Sequence, residues 1–140
     1  KAKYFKEHKG FISDLYDQAS KTNNLSEINF IFIENICKFL NIKTTLSFST
    51  DYNIVEGKTE RLIDLIKQSE GTTYISGPSA KNYIDKSLFN KNNINLEWMD
   101  YSKYKAYNQL YLPFEHGVSI IDLIFNEGIE SKKYMNFPNE

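Results

Sequence analysis

Between residues 72 and 99 the chain changes twice between two incompatible rhythms. Thr72-Thr73-Tyr74-Ile75-Ser76 is β-branched and aromatic, and residues 79–89 repeat Ala80, Tyr83, Ile84 and Leu88 on one helical stripe. Residues 94–99 then alternate Ile94, Leu96 and Trp98 against Asn95, Glu97 and Met99. Two strands separated by a helix call for a crossover connection, which returns the chain in the same direction. The pattern predicts a parallel pair, with the strand at 94–99 half-exposed and at an edge.

Lys43-Thr44-Thr45-Leu46-Ser47-Phe48-Ser49 has the same strand character. It is followed by a loop holding Asp51, Asn53 and Gly57, and by a helical stripe over 58–69 with Leu62, Ile63, Leu65 and Ile66 inward. Gly71 suits the end of that helix. Upstream, residues 3–19 read as a helix, interrupted in propensity by Gly10. Asn24 and Glu27 form a capping box for a second helix. That second helix carries Ile28, Ile31, Phe32, Ile33, Ile36, Phe39 and Leu40, apolar on most sides, and is expected to be buried. A last helix spans 117–126 and closes at Gly128. The expected fold is α/β: a small, mostly parallel three-stranded sheet with flanking helices, two leading helices and one C-terminal helix. Length suits a single domain over 1–140, with a flexible tail at 131–140.

A formal charge of −1 gives no electrostatic reason to expect nucleic acid or an anionic membrane as partner. Arg61 is the one guanidinium, all other basic side chains apart from histidine being Lys. One cysteine, Cys37, excludes an internal disulfide and fits a reducing, cytoplasmic setting. Two distant histidines, His8 and His116, offer no metal spacing, so neither metal nor cofactor is expected. No apolar run approaches the roughly 20 residues of a membrane-spanning helix. The chain starts at Lys1, so the lack of a signal peptide carries little weight.

Ser76-Gly77-Pro78-Ser79-x-Lys81 is the strongest chemical candidate. Pro suits the first position of a helix, whose following N–H groups would face an anion. Lys81 in that first turn opposes the helix dipole unless an anion sits nearby. The plainer alternative is a helix start with Lys81 pairing Asp85. Parallel α/β sheets bind ligands at the carboxyl ends of their strands. This gathers Ser47, Ser49 and Asp51, the Ser76–Lys81 turn, and Asp100-Tyr101 into one rim. The ligand expected there is an anionic small molecule bearing hydroxyls or phosphate. Glu115-His116 offers an acid/base pair, against a purely structural role at the start of the last helix. Asp122, set among Val118, Ile120, Ile121, Leu123, Ile124 and Phe125, needs hydrogen-bond partners, expected to be backbone N–H groups of an adjoining loop. Tyr101, Tyr104, Tyr107 and Tyr111 read either as a stacking wall for a ring or as ordinary packing.

Tyr74-Ile75-Ser76-Gly77-Pro78-Ser79-Ala80-Lys81-Asn82-Tyr83-Ile84-Asp85 resembles the WbqC-like protein family. So do, in the same order, residues 96–101, Tyr107-Asn108-Gln109-Leu110-Tyr111, and the stretch from Phe114-Glu115-His116-Gly117 to Asn126. Residues 57–64 match the helix that precedes them. The resemblance covers almost the whole chain. Members open with a strand and a Gln-Pro-x-Tyr-x-Pro motif, which this chain lacks, so the resemblance implies the C-terminal part of a longer protein. It also implies a role in bacterial surface polysaccharide (O-antigen) biosynthesis, as a transferase attaching an amino acid such as glycine to a sugar. On that reading Ser76, Gly77, Ser79, Lys81, Asp100 and Tyr101 hold a nucleotide sugar or activated amino acid, and His116 or Glu115 handles protons. The alternative is a non-catalytic binding or assembly domain, with oligomerisation through the edge strand.

Overall fold

The computed structural model describes residues 1–53 and 55–135. In chain order the regular elements are α1 (Phe5–Ala19), α2 (Leu25–Phe39), α3 (Thr59–Gln68), β1 (Thr73–Ser76), α4 (Lys86–Lys91), β2 (Asn95–Trp98) and α5 (Ile120–Glu127). Short 3-10 turns occupy Ser49–Asp51, Pro78–Asn82, Tyr101–Lys103 and Gly128–Tyr134. Where the sequence pattern suggests one domain over 1–140, the residues cluster into two compact units. One combines Lys1–Thr45 with the segment from Lys103 onward; the other is Leu46–Ser102.

In the first unit α1 packs on both α2 and α5. His8, Ile12, Leu15 and Ala19 fall on one helical stripe and are buried. Rings extend this seam, with Phe5 on Phe125 at 4.9 Å, and Phe39 meeting both Phe11 at 5.0 Å and His8 at 5.1 Å. The N-terminus of α2 is capped as its sequence suggests, Asn24 Oδ1 accepting the Ser26 N–H at 2.9 Å. The carboxylate of Glu27 instead accepts from the Thr22 hydroxyl, which in turn accepts the Asn24 N–H. The expected burial of α2 is corrected: it has no fully buried residue, and Leu25 and Ile33 are 69% and 51% exposed. Its main packing partner is α1, and one neighbour cannot cover a helix that is apolar on several sides.

Gly128 ends α5 at φ 60°, and a Cβ there would lie 3.1 Å from both His8 Nε2 and the Tyr4 ring. Conformation and space therefore both require glycine. The tail expected from Ser131 begins within a 3-10 turn. Ser131 is fully buried in the Gly128–Tyr134 turn and donates to the Gly128 carbonyl at 2.6 Å. Residues 136–140 of the expected tail lie outside the described residues.

The second unit has its own core of Ile63, Ile66, Ala80, Ile84, Phe89 and Ile94, against which Tyr74, Leu96 and Trp98 pack. The strands are parallel, with Thr73 opposite Asn95 and Ser76 opposite Trp98. Tyr74, Ser76, Leu96 and Trp98 face the core, while Thr73, Ile75, Asn95 and Glu97 are exposed.

The sheet has two strands rather than three. Residues 43–49 make no ladder, because their end folds back on itself: Asp51 accepts the Phe48 N–H at 2.8 Å, and Ser47 and Tyr52 share a hydroxyl contact at 2.9 Å. The helix expected over 79–89 is also divided. Asp85 accepts from the Ser87 N–H at 2.8 Å, which starts α4 afresh after the Pro78–Asn82 turn. At the end of α3 the left-handed residue is Glu70, and the Gly71 N–H closes on the Ile66 carbonyl at 2.8 Å.

Candidate functional site

The first unit builds its polar site from an alternating pair and one helical carboxylate. Tyr107 and Gln109, two residues apart in a segment outside any helix or strand, direct their polar ends to a common partner. The Tyr107 hydroxyl donates to Asp122 Oδ2 at 2.7 Å, and Gln109 Nε2 reaches the same oxygen at 3.2 Å. Asp122 stands in the first turn of α5, where the dipole favours a carboxylate; Ser119 Oγ caps that turn through the Ile121 N–H. Gln109 also binds the Glu115 backbone in both directions, its Nε2 donating to the carbonyl and its Oε1 accepting the N–H, each at 2.8 Å. One side-chain amide thereby substitutes for a strand residue and closes the loop 109–115.

The phenol of Tyr107 is pushed up to about 12, first by burial and then by its hydrogen bond to Asp122, so near neutral pH it is a fixed donor. Its ring meets Phe114 at 5.1 Å and Tyr134 at 5.8 Å, and Phe114 meets the His116 imidazole edge-on at 4.6 Å. These rings, with Tyr104 and Ser119, line a depression of about 260 Å³. A second depression of about 460 Å³ is lined by Phe5, Tyr111, Glu115, Asp122 and Phe125.

The two residues expected to share protons are therefore placed apart. His116 lines the first depression and Glu115 the second, where Glu115 Oε1 accepts the Gly117 N–H at 2.7 Å. The partners expected for Asp122 are also corrected, from backbone N–H groups to the side chains of Tyr107 and Gln109. The tyrosine wall divides in the same way. Tyr104 and Tyr107 line the first depression and Tyr111 the second, whereas Tyr101 belongs to the other unit.

In that other unit the parallel register brings the carboxyl ends of β1 and β2 side by side, as the rim requires. Ser76 is buried and its carbonyl accepts the Met99 N–H at 2.8 Å. A Cβ on Gly77 would come within 3.4 Å of the Tyr101 hydroxyl, so this tyrosine lies over the glycine. Asp100 binds the N–H and hydroxyl of Ser102 at 3.0 and 2.6 Å. Ser79 is exposed in the five-residue 3-10 turn, which supplies no α-helical dipole. Lys81 forms no pair with Asp85. Its ammonium lies 5.5 Å from the Trp98 ring centre, and that of Lys86 lies 5.7 Å from the same ring. The other expected members of the rim are elsewhere: Ser47 and Ser49 line a groove of about 390 Å³ with Thr73 and Tyr74, at the amino end of β1.

Gln109, Phe114, Tyr134, Lys86 and Trp98 were not among the expected site residues. The available signals were the Tyr107-x-Gln109 alternation and the lone carboxylate in an apolar helix. Among the described residues no group of three or more His, Cys, Asp or Glu could hold a metal ion, and no helix is long and apolar enough to cross a membrane.

The sequence profile of the WbqC-like protein family matches residues 1–134. A curated relative, Uncharacterized protein Rv1507c of Mycobacterium tuberculosis (strain ATCC 25618 / H37Rv), is 41% identical over 136 residues, or 97% of this chain. The chain spans 58% of the length of that relative. No solved structure matches.

Proposed function

The chain belongs to the WbqC-like protein family, and from that premise we propose that it is part of a cytoplasmic transferase of surface polysaccharide (O-antigen) biosynthesis that joins an amino acid such as glycine to a sugar. One observation carries the reading: an imidazole and four aromatic rings, those of Tyr104, Tyr107, Phe114 and Tyr134, line one depression. The C–H faces of a sugar pack on such rings, and a few polar groups orient its hydroxyls. Imidazole is the side chain best suited to proton transfer near neutral pH. In the proposed step an amine or hydroxyl of the sugar attacks the carboxyl carbon of an activated amino acid. His116 takes the proton of the attacking group as the new bond forms, and returns it to the activating group as that group leaves. Tyr107 positions the ring wall and keeps its own proton.

An acyl-transfer assay with an activated amino acid and a nucleotide sugar tests this. His116→Ala is expected to lower kcat by about 10²–10⁴, and Phe114→Ala to raise KM. Unchanged turnover in both variants would remove the depression from the chemistry.

A second reading has its own observation. Leu110, Tyr111 and Leu112 are 49%, 79% and 86% exposed, which suits a binding or assembly surface. Sedimentation velocity decides it: a self-associating chain that becomes monomeric with Tyr111→Asp and Leu112→Asp supports assembly, and a monomeric parent chain rejects self-assembly.

A further inference from the structure

We propose that Lys81, Lys86 and Trp98 form a receptor for a phosphoryl group carried by a small ligand, a site that stands independently of the transferase reading. Three separate segments converge to make it. Trp98 is the last residue of β2, Lys86 the first of α4, and Lys81 lies in the turn that follows β1. Both ammonium groups sit on the one indole, at 5.5 and 5.7 Å from its centre.

Both lysines are exposed, and carboxylates are the usual partners of such side chains. The acids that flank these residues in sequence accept from neutral donors. Asp85 accepts from the N–H and hydroxyl of Ser87, Glu97 from the Asn95 amide, and Asp100 from Ser102. Among the described residues neither lysine makes an ion pair. An aromatic face holds an exposed ammonium only weakly. A phosphoryl oxygen offers charge-assisted hydrogen bonds and draws both groups off the ring. A phosphoryl dianion can accept from two ammonium groups at once, which suits two lysines outside any ion pair. The position agrees with the chemistry, since open parallel α/β sheets take their ligands at the carboxyl ends of the strands. Gly77 follows the last ladder pair, Ser76 and Trp98, and the Tyr101 hydroxyl lies beside it.

Trp98 is the single tryptophan of the chain, so its fluorescence reports this site without interference. The chain is titrated at low salt with inorganic pyrophosphate and, separately, with uridine diphosphate. A saturable change in Trp98 emission is expected. Its Kd should rise about tenfold or more in Lys81→Ala and in Lys86→Ala, and stay at the parent value in Lys81→Arg, Lys86→Arg and Lys91→Ala. Far-UV dichroism matching the parent qualifies each variant. Tighter binding of uridine diphosphate would identify a nucleoside-linked ligand, and equal affinities a site that reads the phosphoryl group alone; both support the proposal. No saturable change with either probe at millimolar concentration overturns it, and so does binding that survives the double Lys81→Ala, Lys86→Ala substitution.

Discussion

In the segment 104–122 the polar side chains bind one another, Gln109 reaching Tyr107, Asp122 and the Glu115 backbone at once, whereas at the β1–β2 rim the ammonium groups of Lys81 and Lys86 lie against one indole. The first arrangement satisfies its hydrogen bonds internally and fixes the shape of a depression. The second leaves two ammonium groups exposed and, among the described residues, outside any ion pair. The difference separates residues that hold one another in place from residues that face solvent, where the phosphoryl site is proposed. Substitution should cost stability in the first case and binding in the second.

The scale of that contrast is set by the buried core. Phe89 is fully buried in the second unit, so Phe89→Ala is expected to destabilise it by about 3–5 kcal/mol. Urea unfolding followed by Trp98 emission measures this. A loss under about 1 kcal/mol would mean that the small sheet is held by something other than its core.

Next in size comes Gln109→Ala, which removes both bonds to Glu115 and the contact with Asp122. At roughly 0.5–1.5 kcal/mol for each net hydrogen bond, the expected loss is about 2 kcal/mol. An unaltered melting temperature would show that the network is not what closes the loop.

A smaller effect separates the same network by pH. Folded Tyr107 holds its proton more tightly than the unfolded chain, whose phenol titrates at about 10. Its contribution is whole below pH 10 and is lost as pH rises towards about 12. Denaturant titrations across that window should show stability falling, and Tyr107→Phe should flatten part of the fall. Equal slopes in the two proteins would place the hydroxyl outside the network.

The smallest change in stability is expected at the rim. Lys81→Ala and Lys86→Ala should each stay within about 0.5 kcal/mol of the parent while weakening phosphoryl binding. A lysine variant that loses as much stability as Gln109→Ala would erase the distinction between the two regions.

Elements stabilised by local rules were legible in the chain. The stripe on α1, the Asn24 cap of α2, the apolar face of α3 and the parallel pair β1–β2 follow from period, capping chemistry and crossover geometry. Where the reading failed, a competing local bond or a missing neighbour decided. The carboxylate of Asp85 restarted a helix that apolar spacing alone would carry on, and Asp51 turned the end of 43–49 back before it could join a ladder. Glu115 and His116 are adjacent in sequence yet line different depressions, because the Gly117 N–H draws the Glu115 carboxylate aside.

Sequence alone determined the class of fold, the parallel direction of the two strands, and the need of Asp122 for partners. These rest on periodicity and on the free energy of burying a charge, both readable from residue types in order. Tertiary structure alone decided that those partners are Tyr107 and Gln109, that the rim holds two lysines on Trp98, and that α2 stays partly bare. Each of these depends on which side chains meet across many residues of chain, and residue order does not encode that distance.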